Sequence, residues 1–239
     1  MILGMIKYHL LVLWREPLNM FFGFALPFIM MFTFTGIADS AEIDIILEMN
    51  FTAWLLISAM VLCFTDSGLS HVYTRQTKFL RRLRMTPLNP ITYFATGILS
   101  RVIVLMTMAV VLLAVMNIWF DKSLAGRNWA LFIALLLLTF VMFYLISMLL
   151  ANLTKGAKRS EGVLFVAFFG MLLLGFWIPT HILPDVLQTI VNFLPHICAI
   201  NILQASWIGG DIFREHYFIT VIAYMVVFGV LSVKFFKFE

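Results

Sequence analysis

The chain has 239 residues, of which 63% are hydrophobic and only 12% are charged, and its formal net charge is +4. Soluble domains contain about 25% charged residues, so this composition excludes a water-soluble globular protein and favours a bundle of membrane-spanning helices. The positive charges lie in short segments between apolar runs, a distribution that excludes the basic surface of a nucleic-acid-binding domain. We expect no nucleic-acid partner.

The first sixteen residues are apolar but are interrupted by Lys7, Arg15 and Glu16. The segment is too short to cross a bilayer, and Pro17 ends it as a helix. We therefore predict that residues 1–16 form an amphipathic helix at the membrane interface. The apolar run that follows is longer than the core of a signal peptide, which favours a true span over a cleaved leader.

A spanning helix needs about 20 apolar residues, because each residue adds about 1.5 Å to the length of an α-helix. Six segments meet or approach that length, and we predict that all six are spans of an all-α membrane protein. Their bounds are 18–37, 51–71, 91–119, 129–153, 163–179 and 217–236.

Lysine and arginine are distributed unevenly between the two sides of these spans. Twelve lie on the side of the two termini, and three, Lys122, Arg127 and Arg214, lie on the other side. Basic residues accumulate in cytosolic loops, which predicts a multi-pass protein with both termini in the cytoplasm. Five tryptophans agree, since they fall near the opposite boundary, where indole rings are favoured: Trp54, Trp119, Trp129, Trp177 and Trp207.

The loop 73–88, between the second and third spans, is the most basic segment of the chain. On a helix, Phe79, Leu80 and Leu83 would share one side and basic side chains would occupy the rest. Two interpretations are open: a cytosolic anchor bound to anionic lipid, or a short helix that docks on a motor subunit. The candidate docking residues are Arg75, Lys78, Phe79, Arg81, Arg82 and Arg84.

The segment 180–210, between the fifth and sixth spans, is apolar but divided by prolines. Its pieces 185–194 and 196–208 are each too short to cross the hydrocarbon layer of about 30 Å. We predict an external re-entrant helical hairpin buried against the bundle, because loose backbone cannot face lipid. The alternative is an irregular loop packed on the outer surface.

Asp66 and Arg101 are the clearest ionisable residues inside predicted spans. Both fall in the cytosolic third of neighbouring helices, and charge within a membrane is costly. We expect the two side chains to contact each other; the alternative is a proton or ion relay.

Motifs of catalysis are missing from the sequence. It contains no GxxxxGK[ST] or GxSxG pattern, and its five histidines show no spacing typical of metal ligands. We predict a protein without enzymatic activity, metal site or bound cofactor. Cys63 and Cys198 lie within apolar runs and are interpreted as packing residues.

Three short sequences occur in order along the chain: WREP at 14–17, LRMTPL at 83–88 and GFWIP at 175–179. Leu-Pro pairs at 183–184 and 194–195 follow the last of them. Together with the order of the predicted elements, these sequences resemble the membrane permease subunit of type-2 ABC exporters, the family of many bacterial drug-efflux and polysaccharide-export permeases. The resemblance covers essentially the whole chain.

The resemblance implies one transmembrane permease domain over residues 1–239. The segment 73–88 would be a coupling helix that docks on a separate ABC ATP-binding subunit, which holds the ATP and Mg. The hairpin 180–210 would form an outer gate, with the candidate residues Trp177, Pro179, Pro184 and Pro195. Other implied partners are membrane lipid and a second permease copy or a paralogous permease, in a bacterial cell membrane.

The implied function is ATP-driven export. A drug, an antibiotic or another amphipathic compound is the favoured cargo, because the chain shows no appended carbohydrate-recognising element. A lipid-linked polysaccharide exporter is the alternative within this class. An ion-coupled secondary transporter or channel, using Asp66 and Arg101, is the alternative from another class, but the sequence lacks the internal repeats common in such proteins.

Overall fold

The computed structural model describes residues 2–15, 21–37, 43–77, 90–120, 128–154, 156–174, 183–213 and 216–235. These ranges form helices and contain no strand. Among the described residues, π-helical segments lie at Phe21–Ala25 before α2 and at Leu62–Gly68 between α3 and α4. The α-helices are α1 (Ile2–Trp14), α2 (Leu26–Ile37), α3 (Ile43–Val61), α4 (Leu69–Gln76), α5 (Pro90–Phe120), α6 (Trp129–Leu153), α7 (Ala157–Leu172), α8 (Asp185–Asn192), α9 (Pro195–Ile208) and α10 (Tyr217–Lys234).

Three continuous helices in the described ranges are long and apolar enough to cross a membrane: Asn50–Gln76, Ala95–Phe120 and Trp129–Leu153. They correspond to the second, third and fourth predicted spans. Phe21–Ile37 and Tyr217–Ser232 are shorter apolar helices. The prediction of an all-α membrane protein is confirmed, whereas the number of six spans stays a prediction.

Helix ends differ from the sequence prediction by several residues at three places. The helix of the second span begins at Ile43 instead of residue 51, so it includes part of the segment predicted as an acidic loop. The helix of the second span continues to Gln76 instead of ending at residue 71, so its last turns belong to the segment predicted as a loop. The helix of the fifth span begins at Ala157 instead of residue 163. Charged residues at these places lowered the apparent hydrophobicity of the sequence without interrupting the helical backbone.

Pro27 near the start of α2 explains a contact between α2 and α3. Proline has no backbone N–H, so it cannot donate to the carbonyl of Gly23 four residues earlier. The hydroxyl of Ser58 donates to that carbonyl at 3.0 Å. A side chain from α3 thus replaces the missing backbone donor, as apolar surroundings require.

The π-helical segment Leu62–Gly68 places an acidic side chain inside the bundle. Ser67 Oγ donates to the carbonyl of Leu62, five residues earlier, at 2.9 Å. A Cβ atom at Gly68 would lie only 2.9 Å from Leu164 Cδ1, so glycine lets α7 approach this segment closely. The side chain of Asp66 is 1% exposed here.

The apolar core is centred on α3 and α6, which contact each other and the helices around them. Trp54 and Trp207, expected at the outer membrane boundary, are only 2% and 1% exposed and belong to this core. Their rings pack against protein and not against lipid headgroups. A sequence pattern gives the position of an indole along a helix but not the side of the helix on which it lies.

The helices α8 and α9 form a pair bent by 73°. Leu194, just before Pro195, is extended, as expected for a residue that precedes proline. The ring Nε2 of His196 donates to the carbonyl of Leu174 at 2.5 Å, and Tyr224 Oη donates to the carbonyl of Phe193 at 3.0 Å. The two helices predicted between Pro184 and residue 210 are therefore present and are joined to the bundle at the break between them, and their re-entrant path stays a prediction.

A buried polar layer as the candidate functional site

The ion pair between Asp66 and Arg101 joins the π-helical segment to α5. Arg101 Nε donates to Asp66 Oδ2. The side chain of Arg101 is 7% exposed and that of Asp66 is 1% exposed. Arg101 Nη1 also donates to the carbonyl of Gly97 at 3.0 Å. Each charge thus has an opposite charge beside it, which is the condition for keeping an ionised group inside a bundle.

Helix α1 lies next to this ion pair. A Cβ atom at Gly97 would lie 3.1 Å from Arg101 Nη1 and 3.5 Å from the ring of His9, so glycine admits both side chains. Ser100 Oγ, which donates to the carbonyl of Thr96 at 2.6 Å, lies 3.4 Å from the carbonyl oxygen of Ile6. These contacts connect α1 to α5 at the level of the ion pair.

A small cavity lies between α1, α4, α5 and α6. Its volume is about 20 Å³, enough for roughly one water molecule. Hydroxyl, imidazole and guanidinium groups line it, among them His9, Ser67, Ser70, His71, Thr74 and Arg101. The space is polar but far too small for a transported compound.

A second group of contacts joins α4 to the junction between α6 and α7. His71 Nε2 lies 3.0 Å from Asn152 Oδ1, and both side chains are buried. Arg75 Nη2 donates to the carbonyl of Thr154 at 2.8 Å. The hydroxyls of Thr154 and Ser160 lie 2.5 Å apart, which extends the connection into α7. We call the ion pair and these contacts together the polar layer.

The opposite end of α3 and α6 is built from aromatic rings. The ring of Trp207 lies 4.7 Å from Phe51, 5.0 Å from Phe132 and 5.2 Å from Trp129, between centroids. We call this group the aromatic end, and the part that carries Arg75, Lys158 and Arg159 the basic end.

The residues predicted for the site fall into three groups. The structure joins Asp66 to Arg101, and it directs Arg75 to Thr154 within the same chain. Pro184 lies directly before α8, and Pro195 is the buried first residue of α9. The remaining residues lie outside the described ranges and their roles stay predictions: Lys78, Phe79, Arg81, Arg82, Arg84, Trp177 and Pro179.

Titratable and metal-binding side chains form no larger cluster in the part of the chain that the structure describes. No three His, Cys, Asp or Glu residues come close enough there to hold a metal ion. Cys63 and Cys198 are buried as free thiols. The polar layer can hold helices in register, and nothing in its geometry resembles a nucleophile beside a base.

The sequence interpretation missed His71 and Asn152. Each is a polar residue near the end of an apolar run, and that signal marks both as candidates for a buried contact. It does not identify the partner, because the partner depends on which helices are neighbours and how each is rotated.

Comparison with protein families gives one match that covers most of the chain. The family model described as ABC-2 type transporter matches residues 2–207. This range contains the polar layer, the predicted coupling helix at 73–88 and nearly all of the bent pair of α8 and α9. No curated protein matches the chain.

Proposed function

The chain belongs to the ABC-2 type transporter family, as the transmembrane subunit of an ABC exporter. We propose that it pairs with a second permease, either another copy or a paralogous subunit, and that separate ATP-binding subunits open and close the pathway between the two. The family match over residues 2–207 carries this proposal. The cargo we propose is a drug, an antibiotic or another amphipathic compound. The chain contains 15 methionines, whose flexible side chains adapt to irregular apolar ligands, and 25 phenylalanines, which supply large apolar contact areas.

Docking of the ATP-binding subunit is assigned to the segment that follows α4. The helix Asn50–Gln76 leads directly into this segment, so a push on it would act along a continuous helix. We propose that Lys78, Phe79, Arg81, Arg82 and Arg84 form the coupling helix in cytosolic contact with that subunit. Both termini are then cytoplasmic, and the aromatic end faces outward.

The bent pair of α8 and α9 is proposed as the outer gate. Its break lies at Phe193 and Leu194, directly before Pro195. The apolar side chains of Val186, Leu187 and Ile190 on α8 are exposed. In contrast, α9 is mostly buried against α3, α6 and α10. A hinge between a loosely held helix and a firmly packed one suits a gate.

A pull-down with a co-expressed ABC ATP-binding subunit as the partner tests the docking assignment. We expect the combined change Arg81→Glu, Arg82→Glu and Arg84→Glu to reduce recovery of that subunit at least about tenfold, since each reversed charge removes a contact and adds repulsion. The matched control reverses Lys122, Arg127 and Arg214, which are predicted on the outer side, and should leave recovery unchanged. Equal recovery with both variants would refute the docking assignment.

Labelling of single cysteines tests the orientation. In a chain with Cys63→Ala and Cys198→Ala, Lys78→Cys should resist a membrane-impermeant maleimide added to intact cells, whereas Lys122→Cys should react. The reverse pattern would overturn the cytosolic position of the coupling helix.

The ion-coupled alternative is not favoured by the site, because the carboxylate of Asp66 is engaged by Arg101. It would require ion- or pH-dependent flux through this chain without ATP, abolished by Asp66→Asn. The lipid-linked polysaccharide alternative concerns cargo alone. Transport assays with each cargo class in vesicles containing both subunits separate it from the proposed one.

A further inference from the structure

The sequence predicts that Arg75 contacts the ATP-binding subunit. In the structure, its guanidinium instead points to a carbonyl group of its own chain. Nη2 donates to the carbonyl of Thr154 at 2.8 Å. Thr154 is the extended residue that ends α6, with φ −92° and ψ 142°. Carbonyl groups at the end of a helix lack backbone partners and carry partial negative charge, so a guanidinium placed there is favourable.

We propose that Arg75 and His71 form a latch that fixes the inner end of α4 to the junction between α6 and α7. The latch makes Arg75 a positioning residue and leaves docking to the arginines that follow it. This inference rests on the proposed function, in which an ATP-binding subunit moves the segment after α4. Through the latch, that movement reaches α6 and α7 as well as α3.

Helix geometry explains why these two residues act together. His71 and Arg75 are four residues apart and therefore lie on one face of α4. Their partners, Asn152 and Thr154, lie at the last turn of α6 and directly after it. The two bonds are about one helical turn apart, so they resist rotation of α4 as well as separation from α6.

The connection continues from α6 into α7. The Thr154 hydroxyl lies 2.5 Å from that of Ser160, and Ser160 Oγ donates to the carbonyl of Gly156 at 3.0 Å. Gly156 has φ +89°, a conformation that glycine adopts without strain, at the turn between the two helices. Further along α7, Leu164 packs against Gly68. Polar contacts at one level and close packing at another make α4, α6 and the start of α7 one rigid unit.

Distances between spin labels test the latch in the permease alone. Labels at Gln76→Cys and Lys158→Cys, both at exposed positions, report the spacing of α4 and α7 in a chain with Cys63→Ala and Cys198→Ala. We expect a narrow distance distribution for the native Arg75 and a distribution broader by about 3 Å, roughly half a helical turn, with Arg75→Gln. Arg75→Lys, which keeps the charge but loses the planar guanidinium, should give an intermediate width.

The control variant Arg159→Gln removes an equal charge from the same end of the bundle. It should leave the distribution as narrow as in the native chain. An unchanged width with Arg75→Gln, or an equal broadening with Arg159→Gln, would overturn the latch. Elution of Arg75→Gln and Arg75→Lys at the native position in size-exclusion chromatography establishes that the comparison is between folded proteins.

Recovery of the ATP-binding subunit separates a latch from a docking contact. Arg75→Gln should retain recovery within about twofold, whereas the reversed Arg81, Arg82 and Arg84 should lose it. A loss with Arg75→Gln equal to that of the triple variant would assign Arg75 to docking and refute the latch. If the native chain recovers no such subunit, the proposed function fails, while the label distances still decide the latch.

Discussion

At the basic end of the bundle, helices meet through an ion pair and hydrogen bonds, whereas at the aromatic end they meet through packed rings. Asp66 with Arg101 and Arg75 with Thr154 are contacts between particular atoms. At the aromatic end, α3, α6 and α9 are joined by the rings around Trp207, whose centroids are 4.7 to 5.2 Å apart.

The two kinds of contact respond differently to movement. A hydrogen bond weakens steeply when its distance or angle changes, so the basic end holds its helices in one arrangement. Ring pairs keep most of their attraction over a range of offsets and angles, so the aromatic end can repack. In the proposed exporter, the first property suits transmission of a push and the second suits an opening gate.

Loss of one partner of the buried ion pair should destabilise the protein more than any other single change to the polar layer or the aromatic end. Arg101→Met leaves the carboxylate of Asp66 buried without its partner, and such a change costs about 3–5 kcal/mol. Asp66→Leu should lower the free energy of unfolding less, because the long side chain of Arg101 can then extend toward the membrane surface at the basic end. Unfolding by SDS in mixed micelles measures the free energy of unfolding of each variant and of the native chain.

The double variant Asp66→Leu with Arg101→Met is the control for this prediction. It removes both charges and should recover most of the lost stability, because buried pairs are often replaced by apolar residues at little cost. A double variant as unstable as Arg101→Met alone would show that the pair is not the source of the effect.

An intermediate effect is expected at the aromatic end. Trp207→Ala removes the ring that contacts three aromatic neighbours, and the cavity should cost about 3 kcal/mol, the lower part of the range for such truncations. We expect a value in the lower part because a ring that leaves lipid for the protein interior gains no hydrophobic free energy, so its removal costs only packing contacts. Thermal unfolding in micelles measures the loss.

A second tryptophan provides the control for the aromatic end. Trp119 is 72% exposed, so Trp119→Ala removes a ring of the same size with little packing around it and should hardly change stability. Equal losses for the two variants would contradict the assignment of Trp207 to the core.

The positions of helices and of helix breaks along the chain can be predicted well from sequence, because both depend on local composition. Long apolar runs gave Asn50–Gln76, Ala95–Phe120 and Trp129–Leu153, and Pro195 marked the break between α8 and α9. The contact of Asp66 with Arg101 was also predictable, because two isolated charges at similar depth have few other partners.

The sequence does not predict contacts that depend on helix rotation. Arg75 is one of five basic residues within ten positions, and only the folded chain shows that it reaches Thr154 while the others follow in the next segment. The contact of Ser58 with Gly23 depends equally on which face of α3 meets α2. Composition does not encode either choice.

The hydrogen bond between His71 and Asn152 should contribute least to stability among these contacts. Hydrogen bonds between membrane helices are worth about 0.6 kcal/mol in double-mutant cycles, so His71→Ala and Asn152→Ala should each destabilise slightly and the pair should show a coupling of that size. SDS unfolding of the four proteins of the cycle measures it, with the exposed His216→Ala as the control that should show no coupling to Asn152→Ala. A coupling of zero would mean that the geometry of the basic end comes from Arg75 and the ion pair alone. A coupling near 0.6 kcal/mol, beside the larger effects of Arg101→Met and Trp207→Ala, would show that the hydrogen bond between His71 and Asn152 is a weak directional contact that adds to the arrangement of the basic end without determining the stability of the bundle.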